Sequence, residues 1–166
     1  MDLSHAQLLT LQAWILANGP WPTDQHIVDA LNVQASPTYI VWRTLVAMNE
    51  IMQNGFNWTR VDNLSVGKAR IWDWMTQYGP KINGVEAAIN PSLVNIRAGI
   101  DAVWVGTQAD LDVRAAVYVH CKRSSTLAEQ LLATGTGSDA SPATMGLGAE
   151  GLVSVQDVVD AQQEPA

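Results

Sequence analysis

Histidine and cysteine, the side chains that most often bind metals or act as nucleophiles, are few and scattered in this sequence. The histidines are His5, His26 and His120, and the single cysteine, Cys121, directly follows the last of them. Neighbours on a helix point about 100° apart, so His120 and Cys121 do not readily face one ion. The basic residues after Cys121 would lower its thiol pKa, but we favour a small apolar role in a helix core. The pattern predicts neither a metal site nor a catalytic thiol.

A glycine motif near the C-terminal end resembles a nucleotide-binding signature. Gly146, Gly148 and Gly151 have the spacing of the GxGxxG dinucleotide-binding motif, which requires a preceding strand and a following helix. The residues before it are loop-like, Leu152-Val153 after it are strand-like, and only fifteen residues follow Gly151. We therefore interpret the glycines as a flexible hinge. No Walker loop, GxSxG elbow or HExxH motif occurs, and we expect neither enzyme activity nor a cofactor.

The charge balance disfavours partners held by bulk electrostatic attraction. Nine Lys and Arg against sixteen Asp and Glu give a formal net charge of −7, which opposes binding to nucleic acid or an anionic membrane. Residues 23–45 resemble a helix-turn-helix, but its second helix would offer the bases a single basic residue, Arg43. A DNA-binding regulator is therefore the lesser alternative.

No apolar run approaches the ~18 residues of a membrane span, and the lone cysteine and lack of a secretory signal predict a soluble cytosolic protein.

Helical periodicity dominates the elements that would position these residues. Caps at Thr23, Ser65 and Thr107, apolar spacing and Gly or Pro stops predict helices over about 3–17, 23–32, 44–53, 66–78, 91–105 and 108–132. The β-branched and aromatic stretch 39–42 fits a short strand as well as a helix. These segments predict a mainly α protein, a helical bundle of about five to six helices.

The C-terminal end differs in composition from the rest of the chain. Residues 134–149 are rich in Gly, Ser and Thr without a periodic apolar face, and residues 134–166 contain five acids and no Lys or Arg. Such composition is typical of a linker or arm. We therefore predict a helical body over 1–133 and an extended acidic C-terminal arm over 134–166. The arm would contain a short strand at 151–153 and a helical turn that begins at Ser154.

Seven tryptophans are the strongest oddity of the composition. Trp72 and Trp74 lie roughly 200° apart on a helix, so one buried face cannot hold both, and a second covered surface is expected. Tryptophan is favoured at interface hot spots, and the apolar end of the arm is suited to docking on a neighbouring subunit. The candidate interface residues are Trp72, Trp74, Leu147, Leu152, Val153, Val155, Val158 and Val159. A tail that folds back onto its own domain remains the open alternative.

Several segments together resemble small structural proteins encoded by tailed bacteriophages and prophages. The resemblance is carried by Ser36-Pro37-Thr38-Tyr39-Ile40-Val41-Trp42-Arg43-Thr44, Asn57-Trp58-Thr59, Asn90-Pro91-Ser92, Asn95-Ile96-Arg97-Ala98-Gly99 and, most specifically, by Ala133-Thr134-Gly135-Thr136-Gly137-Ser138 with Ser141-Pro142-Ala143-Thr144-Met145-Gly146. It implies a virion or assembly role without a cofactor, and it transfers no catalytic residue.

The resemblance most specifically implies a structural protein in the neck of the virion. A small helical protein with an extended terminus is similar in layout to head-to-tail connectors, or adaptors, which form a ring below the portal. Such a protein would be a homo-oligomer that contacts the portal or other neck and tail proteins, and packaged DNA only passively, with no membrane partner. It would be located in the virion after assembly in the host cytoplasm. Another phage tail or capsid-associated structural role is the main alternative.

Overall fold

A computed structural model describes residues 1–53, 55–84, 86–146 and 148–165. In these residues the helices are α1 His5–Asn18, α2 Asp24–Leu31, α3 Met48–Ile51, α4 Trp58–Asp62, α5 Val66–Gln77, α6 Val94–Val103, α7 Gln108–Cys121, α8 Leu127–Leu132 and α9 Val155–Gln163. The strands are β1 Ile40–Trp42, β2 Val46–Ala47, β3 Lys81–Ile82, β4 Glu86–Ile89, β5 Lys122–Ser124, β6 Ala133–Thr134 and β7 Thr144–Met145.

The fold is mixed α/β, so the prediction of a mainly α helical bundle with an extended C-terminal arm is wrong. The described strands form three small sheets: β1 with β5, β2-β4-β3, and β6 with β7. In the second sheet both pairings are antiparallel, with Val46 opposite Ile89 and Lys81 opposite Ala87. Strands of two to four residues are too short to show a period of two in sequence, so backbone pairing between distant segments defines them.

Contacts divide the chain into two compact units. Unit 1 consists of Met1–Val41 with Ser124–Ala166, and unit 2 is the continuous segment Trp42–Arg123. The chain passes from one unit to the other within β1 and again within β5. The predicted boundary between residues 133 and 134 falls inside unit 1, within β6.

The core of unit 1 includes the segment that was predicted to be an arm. Leu11 of α1 and Leu31 of α2 are fully buried, and the C-terminal segment adds buried apolar side chains to the same cluster. Those side chains are Ala143, Met145, Ala149, Val153, Val158 and Ala161. Helix α9 packs against α1 and α2. The described part of 134–166 is therefore not an extended arm but a structural part of unit 1.

The core of unit 2 is built around three aromatic side chains. Trp72 and Trp104 meet edge to face with ring centroids 5.3 Å apart, and Phe56 lies 5.9 Å from each of them. Such geometry adds to the hydrophobic gain of burying the rings. Apolar residues of the β2-β4-β3 sheet, among them Val46 and Ile89, complete the cluster.

Helix caps and apolar spacing predicted most of the helices correctly. The wrong predictions lie where segments pair with distant parts of the chain. Thr23, Ser65 and Thr107 are N-caps as predicted. The long helix over 108–132 is wrong, because α7 ends at Cys121 and a new helix begins after Thr126. The Thr126 hydroxyl accepts the Glu129 N–H at 3.2 Å, which is the cap that begins α8.

Four further predictions were wrong. The helix over 44–53 is replaced by β2 and the short α3. Residues 151–153 form no strand, and α9 is a helix of nine residues rather than a single turn. The stretch that would supply the recognition helix of a helix-turn-helix forms β1 instead, which removes the basis for the DNA-binding alternative.

Candidate interaction surface

The side chains best suited to catalysis or metal binding, the histidines and the cysteine, are separated or buried. Cys121 is fully buried at the end of α7, and burial raises the pKa of its thiol to about 12. A neutral, inaccessible thiol is a poor nucleophile and a poor metal ligand. Cys121 therefore acts as a small core residue of unit 2, as the favoured interpretation of the sequence held.

The histidines lie in three separate environments. His5 contacts Glu164, the Nδ1 atom of His26 lies 2.7 Å from the Thr23 hydroxyl, and the Nδ1 atom of His120 lies 3.9 Å from a Glu50 oxygen. Within residues 1–53, 55–84, 86–146 and 148–165, no group of three potential ligands is close enough to hold a metal ion.

The glycine motif serves packing in unit 1. It follows β7, which pairs antiparallel with β6 in a two-stranded sheet, so the parallel strands of a dinucleotide fold are missing from this part of the described chain. Gly148 has a φ of +78°, and a Cβ atom there would lie 1.9 Å from the Asp2 carbonyl oxygen. The Asp2 N–H donates to the Gly148 carbonyl at 3.1 Å. The glycine therefore permits a close backbone approach within unit 1. Leu147, in the middle of the motif, lies outside the described residues.

A buried carboxylate fixes the same segment. Glu129 is 1% exposed; its Oε2 atom accepts the Thr126 N–H at 3.0 Å, and its Oε1 atom accepts the Gly151 N–H at 2.9 Å. The first bond belongs to the capping box of α8, and the second joins the C-terminal segment to that helix. Burial of Glu129 is thus explained by hydrogen bonding to backbone groups.

A second buried acid performs a similar role in unit 2. Asp110 completes the capping box of α7 with Thr107 and accepts hydrogen bonds from the Arg60 guanidinium, with a closest distance of 2.5 Å. The hydrogen bonds from Arg60, followed by those from Thr107, lower the pKa of Asp110 to about 2. The pair connects α4 to the start of α7, which positions the surface formed by α4 and α5.

That surface exposes an unusual number of large apolar side chains. Trp58, Val66, Trp74 and Tyr78 are exposed, and we call this set the aromatic surface. Trp74 is 60% exposed and Tyr78 79%. Val66, Trp74 and Tyr78 line a surface groove of about 450 Å³, together with Arg70 and the acids Asp62 and Asp73. Exposed apolar side chains grouped in this way are typical of protein interaction sites.

The aromatic surface is anchored on the core of unit 2. The ring of Trp58 packs edge-on against Phe56 at 5.5 Å, and Phe56 belongs to the buried aromatic cluster. Asn57 caps α4 by accepting the Thr59 N–H at 3.2 Å. Trp58, Val66 and Trp74 are therefore presented on helices, and Tyr78 is the C-cap residue of α5. Presentation on helices reduces the entropy lost when a partner binds.

The predicted interface residues fall into two groups. Trp72, Val153 and Val158 are buried in the cores of their own units, and Val159 is half-buried. Trp74, Leu152 and Val155 are exposed. Leu147 lies outside the described residues. Leu152 and Val155 are three residues apart in the sequence and belong to unit 1, whereas Trp74 belongs to unit 2.

The spacing of Ile71, Trp74, Met75 and Tyr78 at i, i+3, i+4 and i+7 predicts that these four residues form the core face of α5, which is only partly right. Met75 is half-buried against the core of unit 2, but Ile71, Trp74 and Tyr78 are exposed, whereas Trp72 is 2% exposed. The buried face includes Thr76, whose hydroxyl donates to the Trp72 carbonyl at 3.0 Å, so a polar residue is accommodated there. The opposite face of α5 carries more apolar residues, and the sequence therefore favoured that face as the buried one. Trp58 and Tyr78 were not identified as interface residues, although the excess of tryptophan was the signal.

Comparisons with known proteins return nothing similar: no family model, curated protein or solved structure matches this chain. None of the helices in the described residues has the length and apolarity needed to cross a membrane. The class that the fold defines is a two-unit α/β protein, and its most distinctive described feature is the aromatic surface of unit 2.

Proposed function

We propose that this chain is a structural subunit of a tailed-bacteriophage virion, and specifically a head-to-tail connector that forms a ring at the portal. The phage context is supported by the sequence resemblance. The observation that carries a binding role is the exposure of Trp74 and Tyr78 beside a groove on α5. Large aromatic side chains exposed together are the residues most enriched at interface hot spots.

The arrangement of the aromatic surface suits a permanent assembly role. Trp58 lies on α4 and Trp74 on α5, and these helices pack on the core of unit 2 through Val61 and Trp72, which positions both rings before a partner binds. A ring multiplies such contacts, because closure makes each added contact intramolecular. The buried acids Asp110 and Glu129 are engaged in helix capping and act in stability.

The test is the mass of the full chain in solution by light scattering, alone and with the portal protein of the same phage. A connector is expected to join the portal as a stoichiometric ring. An oligomer that ignores the portal would instead favour another tail or capsid-associated component, and a chain that neither self-associates nor binds any virion protein would overturn the proposal.

A matched pair of variants assigns the binding to the aromatic surface. Trp74→Ser removes an exposed ring from that surface, and we expect binding to weaken by about tenfold or more. Val119→Ser changes an apolar residue on α7 that is 71% exposed and does not line the groove, and it should bind like the unchanged chain.

A further inference from the structure

The dipeptide Asn-Gly occurs three times in the sequence, and its surroundings differ from one copy to the next. The copies are Asn18-Gly19 at the end of α1, Asn54-Gly55, and Asn83-Gly84 between β3 and β4. Asn54 lies outside the described residues. In such a pair the backbone nitrogen of glycine can attack the side-chain amide of asparagine, because glycine has no side chain that hinders the approach. Each pair is therefore a candidate for chemical modification.

Asn83 and Gly84 lie in the turn of a β-hairpin. Strands β3 and β4 pair antiparallel with Ile82 opposite Glu86, so three residues connect them. The φ of Asn83 is +51° and that of Gly84 is +75°, and no other residue except glycine has a positive φ in the part of the chain that the structure describes. Both residues are exposed, and a Cβ on Gly84 would have nothing within 4 Å. Asparagine and glycine suit this backbone geometry, and an exposed turn of this kind opens easily.

Asn18 differs because a hydrogen bond holds its side-chain amide. Its Nδ2 atom donates to the Trp14 carbonyl oxygen at 2.8 Å, one turn earlier in α1. This bond must break before the amide carbon can turn towards the nitrogen of Gly19, which slows the attack. The side chain of Asn83 forms no such bond with the described residues. Of the two described pairs, the one in the hairpin is therefore the more reactive.

We propose that Asn83 is a site of spontaneous deamidation in the folded chain. The backbone nitrogen of Gly84 loses its proton to base and forms a bond to Cγ of Asn83. The Cγ–Nδ2 bond then breaks, and the released nitrogen takes up a proton and leaves as ammonia. Water opens the resulting cyclic succinimide at either carbonyl, which yields aspartate or isoaspartate. No group is oxidised or reduced, and water is the only co-reactant.

Isoaspartate at this position releases β3 from the hairpin. Its backbone passes through the side-chain carbon, so the three-residue connection gains a backbone atom, which disturbs the register of β3 against β4. Strand β4 is still paired with β2, where Val46 lies opposite Ile89. The change is therefore confined to the turn and β3. Both products also add a negative charge to unit 2.

The experiment incubates the full chain at pH 8 and follows each asparagine by peptide mapping with mass spectrometry. In the folded chain, Asn83 should convert roughly five- to tenfold faster than Asn18, whose amide must first leave its hydrogen bond. Asn54 is followed separately in its own peptide. In urea the rates at Asn83 and Asn18 should become similar, because unfolding frees both amides. Equal rates at Asn83 and Asn18 in the folded chain, or an Asn83 that converts only in urea, would overturn the proposal.

A variant tests the consequence for the hairpin. Asn83→Gly removes the amide and tolerates the positive φ, so the turn is retained and cannot deamidate. Hydrogen exchange at the backbone amides of residues 81–84 should become faster as the unchanged chain ages, and it should stay constant in Asn83→Gly. If the aged chain contains isoaspartate at this position and its exchange is unchanged, the release of β3 is refuted.

Discussion

Replacing Val158 with alanine measures whether the C-terminal segment belongs to the core of unit 1. Val158 is fully buried on α9 and packs in a cluster with residues of α1 and α2. The substitution removes the equivalent of two methylene groups, at ~0.8 kcal/mol each, and leaves a small cavity that adds to the loss. We expect the free energy of unfolding to fall by about 2–3 kcal/mol.

Val155 provides a matched control on the same helix. It is 42% exposed, and Val155→Ala makes the same chemical change three residues away. Less apolar area is lost there, and alanine is the better helix former, so the two effects offset each other and the change should stay within about 0.5 kcal/mol. The contrast between the two positions therefore reports burial rather than helix propensity.

The assay is urea denaturation followed by circular dichroism, with both variants and the unchanged chain measured together. With a denaturant slope of about 1–3 kcal/mol/M, Val158→Ala should lower the midpoint by about 1–2 M, and Val155→Ala should leave it nearly unchanged. If the units unfold in separate steps, the shift should affect the step that includes unit 1. Equal, small effects of the two substitutions would refute the packing of α9 in the core and restore the interpretation of a detached arm.

Three further predictions concern buried groups and the backbone. Asp110→Asn should lower the urea midpoint at pH 7. The pKa of Asp110 is lowered to about 2, so its carboxylate stabilises the fold above its usual pKa and this stabilisation is lost as the pH falls towards 2. The difference in urea midpoint between the variant and the unchanged chain should therefore narrow between pH 4 and pH 2, and a constant difference would contradict this. Gly148→Ala should destabilise the chain by about 1–3 kcal/mol, because its φ is positive and a Cβ would meet the Asp2 carbonyl, whereas Gly67→Ala, in α5 with nothing within 4 Å, should stabilise it by about 0.5–1 kcal/mol in the same denaturation assay. Cys121 should resist a thiol reagent in the folded chain at pH 8 and react once urea unfolds it, because the thiol is buried and its pKa is raised to about 12; rapid labelling of the folded chain would contradict its placement in the core.

The faces of α5 illustrate why the candidate site was only partly predictable. Trp72 and Trp74 were identified because two tryptophans two positions apart cannot share one helix face, and one of them is indeed buried while the other is exposed. Phe56 and Trp104 are distant in sequence from α5 and pack against Trp72. These contacts decide which of the two tryptophans is buried in the core. The sequence of a helix defines its stripes, but the side that is covered depends on the elements packed against it.

The sequence by itself determined the helices whose ends are marked by local chemistry. Thr23, Ser65 and Thr107 occupy the N-cap positions of α2, α5 and α7 with extended backbone, and the Thr107 hydroxyl also accepts the Asp110 N–H. A cap depends only on the next few residues. Tertiary structure alone decided the strand pairings, the burial of Trp72 and the packing of residues 134–165. These features depend on contacts between segments that are far apart in the chain. A glycine-rich stretch without periodicity can become part of a core when, as at Gly148 and Glu129, backbone approach and buried hydrogen bonds hold it there.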